Sequence, residues 1–283
     1  MWESINLITS QLLLINFLYE LKITIMKMRE SRVLKKLRSG KIVSCFKINF
    51  CDGQTADLVA GTGFDCLWID REHQAGDWNI LNAQIWAAKS HDVDVMVRVP
   101  RGSYSDYIKP LEIDATGIMV PHIMNLEDAK RVIYMTRFHP IGRRPVDGGN
   151  ADGFYSALDF NDYLKQANDQ RFIVLQIEDP EPLKDLEAIA ALEGYDMLFF
   201  GPGDFSQGIG APGDWNNLKL IETRKLVAKV ANKYGKFAAT AGNIDNLEEF
   251  IDIGYKFINV GADVAGLFYY CKNLKDKFDK LKS

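Results

Sequence analysis

Two apolar runs in this chain each end in a single carboxylate. One is Leu175-Gln176-Ile177-Glu178. The next is Phe199-Phe200-Gly201-Pro202-Gly203-Asp204-Phe205-Ser206. If both runs are strands of a parallel barrel, their carboxyl ends gather on one face, and Glu178 and Asp204 converge although far apart in sequence. Two hard oxygen ligands without cysteine or histidine beside them suit Mg²⁺ or Mn²⁺, with Co²⁺ as a further candidate, rather than structural zinc.

Other strand ends carry ionisable groups. The run Trp68-Ile69-Asp70-Arg71-Glu72-His73 leaves an apolar strand in a burst of charge. The density of Asp70, Glu72 and His73 favours a catalytic reading of His73, whose ordinary pKa suits proton transfer at neutral pH. His91 lies near a helix end, and His139 starts a long loop. His122 follows Pro121 on the same face as His73 but outside any clustered motif. In Met96-Val97-Arg98-Val99-Pro100, an arginine inside an apolar strand must be paired or bound to an anion. Arg98 could offer its fork of donors to a carboxylate or enolate oxygen, or form a structural ion pair with Asp70 or Glu72. The turn around Gly203 and Asp204 could bring backbone N–H groups to a small anion. Gln176 lies two residues before Glu178, on the same side of its strand.

The elements that must position these residues follow from the hydrophobic pattern. Strands are expected at 42–50, 66–70, 94–99, 117–121, 172–178, 197–201, 237–241 and 257–261. They are rich in Val, Ile and Phe and mostly lack polar alternation, as strands buried on both faces should. The intervening segments read as helices, among them 29–38, 126–138 and 218–234. Eight alternating units predict an α/β fold, a single-domain (β/α)8 TIM barrel over residues 28–283. The 283 residues are enough for one such barrel.

The formal net charge of −4 offers no electrostatic case for nucleic acid or an anionic membrane. Cys45, Cys51, Cys66 and Cys271 form no CxxC pair, which suits reduced thiols in a cytoplasmic protein. Residues 1–27 are read as an N-terminal extension, too interrupted for a spanning helix and without the features of a signal peptide. The globular pattern begins at Met28, so Met26 or Met28 is a candidate natural start. The Gly-, Pro- and Arg-rich segment 139–153 follows the fourth outer helix and therefore starts at the N-terminal face of the barrel. It is expected either to pack on a neighbouring subunit or to form a solvent-exposed turn.

Taken together, Ile69-Asp70-x-Glu72-His73, Val97-Arg98-x-Pro100, Gln176-Ile177-Glu178 and Gly201-Pro202-x-Asp204-x-Ser206 resemble the HpcH/HpaI family of class II pyruvate aldolases from about residue 30 onward. The resemblance implies a homohexamer, often with the last helix swapped between partners, and a divalent metal on Glu178 and Asp204. It implies that Arg98 steadies an enolate, that His73 serves in acid–base transfer, and that Gln176, Gly203 and Asp204 hold pyruvate. Glu112 stands where relatives have a shorter acid that orients the histidine. Arg71, Gly203 and Pro145 also depart from the family pattern. The resemblance implies a small 2-oxo acid and an aldehyde as partners. A carbon–carbon lyase acting on a CoA thioester, using Arg101, Arg143 and Arg144 for the phosphates, and a non-catalytic barrel are the alternatives.

Overall fold

The computed structural model describes residues 11–16 and 26–281. The eight apolar runs form β1 (Val43–Ile48), β2 (Cys66–Asp70), β3 (Asp94–Arg98), β4 (Gly117–Val120), β5 (Phe172–Ile177), β6 (Met197–Phe200), β7 (Phe237–Ala241) and β8 (Tyr255–Ala262). Each pairs in parallel with the next, and β8 pairs back onto β1. The sheet therefore closes into a (β/α)8 TIM barrel.

Strand ends differ from the sequence expectation by up to two residues, for local reasons. The first strand stops at Ile48 because the N–H groups of Asn49 and Phe50 turn onto the Asp263 carboxylate at 2.8–3.0 Å. The last strand begins two residues early, with Tyr255 paired to Ala238.

Inside the barrel the two-residue period of a strand sorts side chains into layers. Cys66 and Trp68 of β2, Met96 of β3, Phe172 and Val174 of β5 and Met197 and Phe199 of β6 share one interior cluster. Leu67, Ile69, Val95, Val97, Ile173 and Leu175 belong to the outer cluster between sheet and helices. Continuing the same period carries Asp70, Arg98 and Gln176 inward at the carboxyl ends, one layer above the apolar filling. The helix Arg32–Arg38 closes the other end, adding Val33, Leu34 and Leu37 to the interior cluster.

Several outer helices are started by a side-chain cap. Asp52, Asp77, Asn125 and Asn217 each accept a backbone N–H from the first turn. Such caps contribute about 1 kcal/mol each. The helix expected at 126–138 ends at Thr136, because Arg137 leaves helical conformation. Its guanidinium reaches the carbonyls of Gly194, Asn168 and Arg171 and the Asp196 carboxylate.

The segment 139–153 lies on the N-terminal face of its own barrel. The N–H groups of Ala151 and Asp152 bond the Asp114 carboxylate at 3.2 and 3.0 Å, and Asp152 pairs with Arg171 at 2.6 Å. Most of the N-terminal extension lies outside the described residues. Met28 already belongs to the fold, donating its N–H to Gln166 at 2.8 Å. All four cysteines are free, with Cys45 and Cys66 buried. Among the described residues no helix is long and apolar enough to cross a membrane.

Close packing of the β4–β5 seam can be tested at Gly117. A Cβ there would lie 2.2 Å from the ring of Phe172, its direct neighbour across the sheet. Gly117→Ala should cost about 1–3 kcal/mol, seen as a lower urea midpoint at unchanged slope. An unchanged midpoint would mean that the ring moves freely.

Candidate active site

The site forms where the inward positions of β2, β3 and β5 meet the loops after β4 and β6. Asp70, the last residue of β2, is 1% exposed. It accepts Nε and Nη2 of Arg98 from the facing position of β3, and its Oδ2 lies 2.8 Å from Lys47 Nζ on β1. Burial alone would raise the Asp70 carboxyl, but the Arg98 fork and Lys47 hold it well below the usual carboxylate range. Arg98 also reaches Glu72 at 3.2 Å and lies 4.9 Å above the Trp68 ring. Both readings of Arg98 therefore meet at one place: it is ion-paired with Asp70 and Glu72, and it sits at the barrel mouth.

Glu178 follows β5 and is 1% exposed. Its Oε1 accepts the His122 N–H at 3.0 Å, and its Oε2 accepts from Gln176 Nε2. Burial pushes its carboxyl up to about 7; His122 and Arg98 work against that rise, and the negative charge of Asp204 adds to it. Asp204 is half-buried in the helix Pro202–Gly208, directly after β6. The two carboxylates expected to converge are thus electrostatic neighbours. Gly201 makes this possible, since a Cβ there would lie 2.7 Å from Glu178 Oε2 and 2.9 Å from Gln176 Nε2. Around the position of a Gly203 Cβ, by contrast, there is open space. The glycine that departs from the family pattern is not sterically required.

The donor set fits a divalent cation. A buried carboxylate beside a second one is costly when ionised, and a cation between them would remove both penalties. Gln176 Oε1 is buried without a hydrogen-bond partner. Among the described residues no three His, Cys, Asp or Glu side chains group into a metal cluster. Two carboxylates would then leave ligand positions for substrate and water.

His73 stands at the rim. Its side chain is 58% exposed, and its Nε2 lies 3.6 Å from Glu72 Oε2. His122 sits deeper. Its left-handed backbone (φ 50°) turns its N–H onto Glu178, while its Nδ1 lies 2.8 Å from Asp179 and its Nε2 3.6 Å from Glu72. Burial alone would lower the His122 imidazole, but Asp179, Glu178 and Glu72 hold it above its ordinary value. Sequence reasoning placed His122 on this face without a role, and it passed over Lys47. The signal for Lys47 was a lysine in an otherwise apolar strand.

Glu112 lies apart from the mouth in this chain. It ends the helix Tyr104–Glu112, which runs back from the mouth, and it bonds Arg144 Nη2 and Nε at 2.6 and 3.0 Å. Among the described residues it anchors the 139–153 segment and bonds no histidine. Arg143 and Arg144 share that remote face. Arg71 also points away from the site, with its guanidinium 5.0 Å from the Trp78 ring centre.

This barrel and site define a protein class. The sequence model of the HpcH/HpaI aldolase/citrate lyase family matches residues 49–268, and the chain belongs to that family. It is similar to the hydroxypyruvate/pyruvate aldolase of Roseobacter denitrificans, with 30% identity over 247 residues that cover 86% of this chain and 95% of that protein. It is also 28% identical over 227 residues to the 5-keto-4-deoxy-D-glucarate aldolase of Salmonella paratyphi C, covering 80% of this chain and 88% of the other. Among solved structures, the HpcH/HpaI aldolase from Desulfitobacterium hafniense superposes with a TM-score of 0.81 at 27% identity, covering 86% of this chain and 95% of that one. The protein is a carbon–carbon lyase.

Glu178 gives a pH signature. Its carboxyl is raised from 4.5 to about 7 in the fold, so the folded chain keeps a proton that the unfolded chain releases. Stability from this group is present at the acid side of that window and is lost as pH rises through it. The unfolding midpoint of metal-free protein should therefore fall between about pH 5 and about pH 8 more steeply than that of Glu178→Gln. Added Mn²⁺ should stabilise the wild type more at the alkaline end. Parallel pH curves for the two proteins would contradict this.

Proposed function

We propose that the protein is a divalent-cation-dependent aldolase. It would cleave a 4-hydroxy-2-oxo acid to pyruvate and an aldehyde and catalyse the reverse addition. The observation that carries this reading is the buried Glu178 carboxylate beside Asp204 at the carboxyl ends of β5 and β6. The relatives named as aldolases supply the reaction class.

Glu178 and Asp204 would hold Mg²⁺ or Mn²⁺. The chemistry supplied by a bound cation would be stabilisation of the negative charge that bond cleavage leaves on the oxo oxygen. Gln176 and the backbone N–H groups of Gly203 and Asp204 would orient the 2-oxo acid. His73 would take the proton of the 4-hydroxyl group. The C3–C4 bond then breaks, its electron pair passes into an enolate, and protonation at C3 yields pyruvate. Arg98 would donate to the enolate oxygen with Nη1, because Asp70 occupies Nε and Nη2. Asp70 acts here as the residue that fixes Arg98.

The thioester reading is disfavoured by the placement of its basic residues. Arg144 is bound to Glu112 on the opposite face, and Arg101 is paired with Asp128 at 2.7 Å. A Schiff-base route through Lys47 would require breaking its pair with Asp70. We place the enzyme in the cytoplasm as a homo-oligomer, the hexamer of its resemblance. The C-terminal helix Asp263–Lys280 supports association, since Leu267, Phe268, Tyr270 and Leu274 on it are exposed.

Incubation with pyruvate in D₂O should exchange the methyl protons when Mn²⁺ or Mg²⁺ is present, and EDTA or Glu178→Gln should abolish the exchange. Exchange that persists in EDTA and is trapped by borohydride would move the chemistry to Lys47. No exchange with metal bound would favour the thioester or non-catalytic barrel. Separately, light scattering should give a mass several times that of one chain. A monomer would remove the oligomer from the proposal.

A further inference from the structure

Lys47 stands in the mouth, and the proposed reaction gives it no task. Its neighbours along β1 are Phe46 and Ile48. Cys45 and Trp68 face the interior of the barrel, so the two-residue period turns Lys47 inward as well, beside its register partner Trp68. Its side chain is 19% exposed, and its Nζ lies 2.8 Å from Asp70 Oδ2 and 4.7 Å from the centre of the Trp68 ring. A charge held this deep needs a paired anion. Asp70 already has a cation in Arg98, so Lys47 brings a second cation to one carboxylate.

That carboxylate is held unequally at its two oxygens. Oδ1 accepts Arg98 Nε at 3.1 Å and the N–H groups of Glu72 and His73 at 3.0 and 3.4 Å. Oδ2 accepts Arg98 Nη2, and beyond that contact it has Lys47. A carboxylate can meet a guanidinium side-on, through Nε and one Nη, or end-on, through both Nη groups. The side-on pair seen here leaves Nη1 for a ligand. An end-on pair would spend both Nη groups on Asp70. With Oδ1 tied to the turn, the place of Oδ2 selects between the two, and Lys47 is the group beside Oδ2 that fixes it.

Charge gives Lys47 a second effect. When all are ionised, the two cations Lys47 and Arg98 balance the two anions Asp70 and Glu72. Without Lys47 the same cluster is net negative and opposes the charge that bond cleavage leaves on the oxo oxygen. We propose that Lys47 is a positioning residue for the lyase reaction. It acts through Asp70: it holds the carboxylate side-on to Arg98, keeps Nη1 available to the enolate oxygen, and completes the charge balance of the mouth. The inference rests on the aldolase reading and deepens it.

Exchange of the pyruvate methyl protons in D₂O with Mn²⁺ reads this role, because it follows enolate formation without an aldehyde. Lys47→Met keeps an unbranched side chain and removes the charge. Its kcat for exchange should fall about tenfold or more, the scale of one charge-assisted hydrogen bond, with KM for pyruvate nearly unchanged, as for an interaction made in the transition state. Lys47→Arg, which puts a cation back beside Oδ2, should recover much of the loss. An unchanged kcat, a loss carried by KM alone, or an equal loss in Lys47→Arg overturns the proposal.

Crystal structures of the wild type and Lys47→Met separate this inference from the aldolase reading. Loss of the side-on pair between Asp70 and Arg98 in the variant supports the positioning role even if the wild type exchanges no protons of pyruvate. A side-on pair that is the same in both proteins overturns it even if exchange slows. If Lys47→Met does not fold, Lys47→Gln, which is uncharged and shorter, carries both measurements with the same criteria.

Discussion

Closure of eight parallel strands into one ring is the constraint from which the rest follows. Once the sheet closes, every second residue of every strand must enter a space with no solvent. Lower in the barrel that space is filled by Trp68, Met96, Phe172, Val174 and Phe199. Only the last inward position of a strand can be polar without being sealed in, because only it borders the mouth. Asp70, Arg98 and Gln176 occupy such positions, and Glu178 follows Gln176 just beyond the end of β5. The address of the site is thus a consequence of strand period and strand length.

Polar groups at these addresses still need partners. Arg98 would be intolerable above the Trp68 ring without Asp70, and breaking a buried pair of this kind costs about 3–5 kcal/mol. Asp70 is in turn shared with Lys47 on β1, so three neighbouring strands are tied together at one carboxylate. Glu178 is the opposite case. Its bonds from His122 and Gln176 do not offset burial beside Asp204, and its carboxyl is pushed up rather than down. One acid is stabilised as an anion and the other is left needing positive charge. That contrast between two buried carboxylates separates the supporting pair from the candidate metal ligand.

The far face of the barrel carries its own charge network, built for stability. Asp94 takes Arg29, Ser31 and the Val33 N–H, while Asp65 takes Arg32, Lys36 and Ser44. These bonds hold the closing helix Arg32–Arg38 under the barrel. Glu112, Asp114, Asp152 and Arg171 belong to the same layer and secure the 139–153 segment. Placing charge at the mouth for chemistry and at the base for anchoring follows the division of labour general to such barrels.

Strand order and the barrel were legible in the sequence because both depend on local periodicity, and the same pattern put Glu178 and Asp204 after the neighbouring strands β5 and β6. Short apolar runs, several of them followed by a charged residue, mark where a strand leaves the sheet. The pairing partners of Arg98 were narrowed to Asp70 and Glu72 for the same reason. Three features were not legible. Glu112 had a place only through the family resemblance, and its helix carries it to the base, where Arg144 meets it. Lys47 looked like part of an ordinary strand until closure of β1 against β2 brought it to Asp70. His122 carries no motif, and only its left-handed backbone directs its N–H to Glu178. By itself the sequence determined which residues face inward, because that depends on neighbours one and two positions away. Tertiary structure alone decided which inward residues touch, because contacts across a closed ring depend on register and helix direction, which no local pattern encodes.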